Sequence, residues 1–243
     1  INGQVPERIK PLLFDWKLIG LIKGSHHQQS IDDLTAMHRD AQDEENTTPP
    51  KIRPIAISDV LIILTERAAI IQLKNELRTE MLPYQVGVAV PGGLEIVNTL
   101  VDILMEDPDA VLASMDIKNC FNAFERLEMI EEIVMPNAGG RVSCLAKLGK
   151  YLLMSYFEHG GATGWVWQAD AKHPKGGKWK GLSAESGVHQ GRPTGPAIAA
   201  ALLLRCFRAV QPILDKADRE EGVQARDTSA CVGYLDDAVC ISK

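Results

Sequence analysis

Apolar and polar positions along the chain fall into short blocks whose period changes from two to about three and a half. Lys17-Leu-Ile-Gly-Leu-Ile-Lys23 reads as a short strand. Lys51-Ile-Arg-Pro-Ile-Ala-Ile57 is also extended, because Pro54 biases Arg53 away from helical backbone. Ser58 is placed to cap a helix running to Pro83, with apolar positions at Leu61, Leu64, Ala68 and Ile71. Pro91-Gly92-Gly93 forms a turn, and the helix after it carries Val97, Leu100, Val101 and Leu104 on one face before stopping at Asp107-Pro108.

Ala110 to Asp116 has the apolar run of a buried strand, ending in a carboxylate. A helix is expected from near Asn122 with Leu127, Ile130, Ile133 and Val134 inward, and another over about 142–157. Ser186 to Pro196 is a Gly/Pro-rich loop that opens a helix, with Ile198, Leu202, Cys206 and Val210 as its core face. Asp215 to Ser229 is charged and turn-like. The last feature is Gly233-Tyr-Leu-Asp-Asp237, set between Ala230-Cys-Val232 and Ala238-Val-Cys-Ile241. No internal repeat is visible. Strands and helices mix without regular βαβ alternation, so the expected class is α+β.

Composition narrows this only a little. The 243 residues can bury an ample core, and 45% hydrophobic with 24% charged residues suits a soluble globular protein. The longest apolar runs, such as Gly195 to Leu204, are short for a bilayer, and no secretory signal opens the chain, so no membrane partner is expected. Residues 24–50 are polar, acidic and closed by two prolines, which predicts a mobile insertion. Adjacent His26 and His27 at its edge fit a solvated loop better than a metal site. Five scattered cysteines (120, 144, 206, 231, 240) without CxxC spacing predict free thiols in a reducing intracellular compartment, nuclear or cytoplasmic. A net charge of −6 argues against a chain built wholly to coat nucleic acid. Locally, Lys172, Lys175, Lys178 and Lys180 cluster with Trp165, Trp167 and Trp179. Such a stretch could stack a single strand, or be an exposed hairpin with a solvated face.

The acids carry the chemistry. Mg2+ takes oxygen ligands, usually one or two carboxylates plus substrate phosphates. A two-metal site needs its ions roughly 3.5–4 Å apart, hence carboxylates on backbone held close and rigid. A strand-end Asp116 and the Asp236/Asp237 pair at a hairpin tip would meet that need. The same residues also suit helix caps and tight turns.

The order of segments resembles the fingers and palm of a reverse transcriptase. Arg53-Pro54-Ile55 resembles the fingers motif. Asp116-Ile-Lys-Asn-Cys-Phe121-Asn122 is similar to the first palm motif, and Gly187-Val-His-Gln190-Gly191-Arg-Pro-Thr-Gly195-Pro196 to the second. Tyr234-Leu-Asp236-Asp237 resembles the third, the YxDD hairpin. The second palm motif and Gly92-Gly93 look most like non-LTR retrotransposon and group II intron types. Arg192 stands where those relatives usually have an acid, His189 where glutamine is common, and Leu235 where alanine often occurs.

The resemblance implies fingers over 1–109 and palm over 110–243, with the thumb and any nuclease domain lying elsewhere in a parent chain. It implies RNA-templated DNA synthesis from a primer and dNTPs, with two Mg2+ ions (Mn2+ as substitute) on Asp116, Asp236 and Asp237 and the backbone carbonyl of Ile117. Arg53, with Lys51 beside it, would meet the incoming nucleotide. Phe121 would block a ribose 2′-hydroxyl, Gln190 and Gly191 would contact the template, and Tyr234 would touch the primer end. It further implies that the segment alone is poorly processive or inactive. A viral-type RNA-dependent RNA polymerase and a non-catalytic nucleic-acid-binding relative are the alternatives.

Overall fold

The computed structural model describes residues 5–6, 8–22, 52–136, 140–157, 163–170, 173–183, 185–223 and 228–242. The expectations for the 24–50 insertion, with His26 and His27, and for Lys23, Lys51 and Lys172 lie outside them.

A short helix, α1 (Lys10–Phe14), leads into β1 (Trp16–Ile22). β2 (Ile52–Ile57) pairs antiparallel with it, Lys17 opposite Ile57 and Leu21 opposite Arg53. Two longer helices follow, α2 (Val60–Met81) and α3 (Gly93–Leu104). Then come β3 (Val111–Asp116), α4 (Cys120–Ala123) and α5 (Arg126–Val134). A 3-10 segment (Cys144–Leu148) runs into α6 (Gly149–Tyr156). The hairpin of β4 (Thr163–Asp170) and β5 (His173–Ser183) precedes the 28-residue α7 (Thr194–Glu221). β6 (Ala230–Tyr234) and β7 (Asp237–Ser242) complete the described chain. The strands form two sheets, β2-β1-β4-β5 and β3-β7-β6, with every pairing antiparallel except β1 to β4. The architecture is mixed α+β with small sheets, as the pattern predicted. The first sheet draws strands from both sides of residue 110.

Helix α7 is the centre of the core. Ala197 to Leu204 are all buried, so this stretch is apolar all round, as a helix enclosed on every side should be. Length and composition alone would let α7 cross a bilayer, but half of that apolar window is buried inside the fold. Leu73, Leu77 and Met81 of α2, Met129 and Ile133 of α5 and Leu152 of α6 pack into the same cluster.

Several expectations need correction. Asp59, not Ser58, caps α2, its carboxylate accepting from the Leu61 N–H at 2.8 Å, while Ser58 is buried. The buried stripe of α2 is Ile62, Glu66, Leu73, Leu77 and Met81; Leu61, Leu64 and Ile71 are exposed. Residues 60–71 are apolar on nearly every side, so periodicity could not choose the face. On α5, Met129 and Ile133 point inward while Leu127 and Val134 are exposed. Cys206 of α7 is exposed as well. The charged stretch from Asp215 continues α7 to Glu221 before any turn, held by an i,i+4 Lys216–Glu220 ion pair and by Asp218, which accepts from Ser229 N–H and Oγ–H at 2.7 and 2.6 Å. β3 is a strand as expected but exposed along its whole length, because it is an edge strand paired only with β7. Cys231 and Cys240, expected as free thiols, are directly opposed in β6 and β7 with Cα atoms 4.2 Å apart, and are joined as a disulfide.

Candidate active site

Antiparallel pairing brings the predicted acids together. Asp116, the last residue of β3, lies directly opposite Asp237, the first of β7. Side chains of such a pair share a face, with Cβ atoms roughly 4.5–5.5 Å apart. Tyr234 pairs with Asp237, so Leu235 and Asp236 form a two-residue hairpin turn. Leu235 has φ of +59°, the positive value that turns of this length require at their first central position. The buried Cys120 thiol lies in the fields of both Asp236 and Asp116. Burial first, then Asp236, then Asp116, push it up to about 11. The carboxylates from 120 residues apart thus both act on Cys120, a position inside the Asp116–Asn122 motif to which no role was assigned.

A leucine at positive φ is costly, and such conformations persist only where the surroundings impose them. Here Gln85, fully buried between α2 and α3, does so. Its side-chain N–H donates to the Leu235 carbonyl at 3.0 Å, and its side-chain oxygen accepts from the Leu235 N–H at 2.9 Å and the Gly87 N–H at 3.0 Å. Backbone bonds tie the same segment to β6, Gly233 N–H to the Tyr84 carbonyl (2.7 Å) and Val86 N–H to the Gly233 carbonyl (2.9 Å). Gly87 has no room for a side chain, since a Cβ would stand 2.5 Å from the Leu235 nitrogen. Sequence reasoning missed Gln85. Its one trace was a lone amide in the apolar run Tyr84-Gln-Val-Gly-Val-Ala-Val90.

The predicted template-side loop, 186–193, is built onto the residues after Asp116. Gly187 at φ +70° lies so close to α4 that a Cβ would collide with the Phe121 carbonyl. Val188 N–H donates to that carbonyl at 2.6 Å, and Gly187 N–H to Phe124 at 2.7 Å. Phe121 itself is half-buried against the main core. The other side of the loop meets β2. Ala56 N–H donates to the Gln190 carbonyl at 2.8 Å, and Gly191 (φ +111°) would set a Cβ 2.6 Å from the Ala56 carbonyl. The glycine is therefore demanded by the β2 contact, whatever it does for a template. The loop thus bridges the segment after Asp116 and β2, the strand that holds Arg53. Lys51 lies outside the described residues. Tyr234 packs with Val86, Val97 and Val232, and the Ile117 carbonyl accepts from Cys120 N–H at 3.2 Å.

Arg192, where the resemblance leads one to expect an acid, is turned into the core. It is buried and ion-paired with buried Glu66 of α2, while also donating to the Tyr151 hydroxyl (2.7 Å) and Ser155 Oγ (2.6 Å). Glu66 also accepts from the Tyr151 hydroxyl at 2.5 Å and from Thr194 Oγ–H at 2.9 Å. Burial works against the charge on Arg192, but Tyr156, Glu66 and Tyr151 outweigh it and raise its pKa. His189 stacks on Tyr156 at 4.9 Å; burial first, then Arg192 and Arg126, hold it well below its ordinary pKa, so it is neutral. Both residues anchor the loop to α2 and α6.

Among the described residues, no group of three or more His, Cys, Asp or Glu is close enough to hold a metal ion by itself. The donor set at the hairpin nevertheless consists of hard oxygens, two opposed carboxylates with a third beside them. That fits Mg2+, whose shell is commonly completed by water and substrate phosphates.

No protein-family model matches the sequence, and neither does any curated protein. Solved structures do. Apo telomerase from Candida tropicalis superposes with a TM-score of 0.51 at 10% identity, over 97% of this chain and 48% of that one. Telomerase from Candida albicans in complex with a TWJ fragment of telomeric RNA gives 0.50 at 12%, over 98% and 39%. The RNA-dependent RNA polymerase of bacteriophage phi12 gives 0.50 at 10%, over 95% and 37%. The fold is polymerase-like. The likeness is distant, and the chain spans less than half the length of each of these three polymerases. A polymerase-like fold explains why Asp116 and the hairpin share a sheet although 120 residues separate them in the chain.

Proposed function

We propose that the chain is the fingers and palm part of an RNA-directed DNA polymerase, adding deoxynucleotides to a primer on an RNA template. One observation carries the reading: Asp116 and Asp237 share a register pair, with Asp236 beside them on a turn locked by Gln85. Asp116 and Asp236, assisted by Asp237 and the Ile117 carbonyl, would hold two Mg2+ ions, for which Mn2+ could substitute. Bound there, the ions would lower the pKa of the primer 3′-hydroxyl and offset charge on the triphosphate.

The chain's own residues then act by position and electrostatics, as phosphoryl transfer requires. Arg53, in β2 beside the loop, is assigned to the triphosphate, its planar fork suited to phosphate oxygens; Lys51 is a second cation for the same charge. Gln190 and Gly191 sit where that strand meets the loop and are assigned to the template. Tyr234, one residue before the turn, is assigned to the primer end. Phe121 lies between Asp116 and the loop, where an aromatic edge would exclude a 2′-hydroxyl by a clash. An RNA partner accords with the RNA-bound telomerase among the structural neighbours.

RNA synthesis is the second reading, favoured by the equal likeness to the phage RNA polymerase. Phe121 argues for DNA. Single-nucleotide addition by the full-length parent to a primer on an RNA template, supplied with either dNTP or NTP in Mg2+, separates the two. Preferential dNTP addition supports the proposal, preferential NTP addition supports the second reading, and absence of both in Mg2+ and Mn2+ leaves a binding module.

A further inference from the structure

Helix α2 carries a second apolar stripe that the core does not use. Leu61, Leu64, Ala68 and Ile71 follow one another at intervals of three, four and three residues, and Asn75 continues the series. By the 3.6-residue period they lie opposite Ile62, Glu66, Leu73 and Leu77, the face that α2 buries. Leu61 is 63% exposed, Leu64 55% and Ile71 64%, and Ala68 is exposed too. Intervals of three and four give the a/d seam by which one helix packs along another. Such a seam is narrower than the apolar face of an ordinary surface helix or of one lying on a membrane. Spacing therefore selects a helix as the neighbour.

Charge selects the chemistry of that helix. In the same register Arg67 and Lys74 flank the seam on one side, Thr65 and Gln72 flank it on the other, and Arg78 closes it. Arg67, Lys74 and Arg78 are exposed, and none is ion-paired among the described residues. No carboxylate stands at these positions. Glu76 lies farther round the helix, against Lys147 Nζ at 2.6 Å. Asp59 and Asp15 stand at the other end, where they and Lys17 border a groove of about 640 Å³ that Ile57, Val60 and Trp165 also line. The complementary helix is apolar along its seam and at the groove, and acidic toward Arg78. A second copy of α2 does not fit this description. Paired antiparallel it sets Arg67 and Lys74 against their own kind, and paired parallel it sets them against Thr65 and Gln72, so the cations stay uncompensated.

We propose that the outer stripe of α2 docks an acidic amphipathic helix of a separate polypeptide. The partner's apolar seam covers Leu61, Leu64, Ala68 and Ile71, and its carboxylates face Arg67, Lys74 and Arg78. The inner face alone anchors α2 in the core, so the contact can form and break while the fold stays intact. This does not rest on the metal-site reading, since none of the candidate site residues lies on the stripe.

The probe is a fluorescein-labelled three-heptad peptide with Leu at a and d and Glu at e and g; its control carries Lys in place of each Glu. Anisotropy is followed as the full 243-residue chain is added, and again with the full-length parent. The acidic peptide should bind saturably to both, more weakly as NaCl rises from roughly 0.05 to roughly 0.5 M. The basic peptide should bind about tenfold more weakly or worse. Leu64→Gln and Ile71→Gln should each lower affinity for the acidic peptide about tenfold or more, the worth of one buried aliphatic side chain. Both side chains are exposed, so circular dichroism and urea unfolding should match wild type. Arg67→Glu with Lys74→Glu should reverse the preference toward the basic peptide, a readout that keeps the apolar seam untouched. Absence of saturable binding, equal affinity for the two peptides, or unchanged affinity in Leu64→Gln and Ile71→Gln would each overturn the proposal. Binding by the 243-residue chain but not by the parent would place the occupant within the parent and overturn the separate polypeptide. Dimerisation in sedimentation equilibrium, or pelleting with phosphatidylserine vesicles, that Ile71→Gln abolishes would replace the helix by a second copy or by a lipid surface.

Discussion

Gln85 grips both the N–H and the carbonyl of Leu235, the residue that turns the chain between the paired strands of the candidate site. It sits 150 residues away in sequence and is fully buried. One amide thereby holds a leucine at φ +59° and sets the direction in which Asp236 leaves the turn. Replacing it with Gln85→Met keeps the volume but strands three backbone groups, at about 1–3 kcal/mol for each one left without a partner. Water reaches the hairpin tip, so the expected loss is about 3 kcal/mol in urea unfolding. Single-nucleotide addition should fall at least tenfold. Gln85→Glu keeps the acceptor bonds and should lie between. A Gln85→Met protein with wild-type stability and wild-type addition would remove Gln85 from this role.

The buried Arg192–Glu66 pair gives a second test. Arg192→Met leaves Glu66 enclosed without its cation, and breaking such a pair by removing one partner costs about 3–5 kcal/mol. The double variant Arg192→Met with Glu66→Gln should recover part of that loss, because no uncompensated charge remains. Urea denaturation measures both. If Arg192→Met alone were within about 0.5 kcal/mol of wild type, as surface substitutions usually are, the ion pair would be no anchor.

His189 predicts the acid side of the stability profile. Its folded pKa lies well below the ordinary 6.5, so between those values the unfolded chain binds the extra proton. Stability is therefore full above about pH 6.5 and declines as pH falls toward the folded value, with a slope approaching about 1.4 kcal/mol per pH unit. His189→Gln should flatten that slope between pH 6.5 and 5. An unchanged slope would mean that other groups set it.

Gly191 is where the loop and β2 touch. At φ +111°, with the Ala56 carbonyl 2.6 Å from any Cβ, Gly191→Ala must move backbone rather than a side chain. The expected result is a destabilisation of about 2 kcal/mol or more and faster hydrogen exchange at Ala56, whose N–H bonds the Gln190 carbonyl. Unchanged protection at Ala56 would refute the contact.

What the sequence revealed and what it hid follow from the range of the forces involved. β3, β6 and β7 were legible because short apolar runs adjoin turn-forming acids, so Asp116 and Asp236 could be named before any fold was known. The Trp/Lys hairpin was visible for the same reason. The face of α2 was not, since its first twelve residues offer apolar side chains all around, and Tyr151, Arg192 and Thr194, packed from elsewhere, decide that Glu66 points inward. Arg192 looked like a departure at a substrate site because its partner lies 126 residues away. The exposure of β3 was hidden too, since an apolar run states what a strand could bury and not whether anything covers it. Gln85 escaped because an amide that bonds backbone carries no spacing rule.

The central claim is that Asp116 and Asp236 hold the ions for nucleotidyl transfer. The measurement that tests it most directly is single-turnover addition of one dNTP to a primer annealed on RNA, in Mg2+ and in Mn2+, by the full-length parent as wild type, Asp116→Asn and Asp236→Asn. Both substitutions keep size and fold, so unfolding curves should coincide with wild type to within about 1 kcal/mol. The account predicts addition by the wild type and a loss of at least a thousandfold in each variant. Addition at the wild-type rate by either folded variant would contradict it.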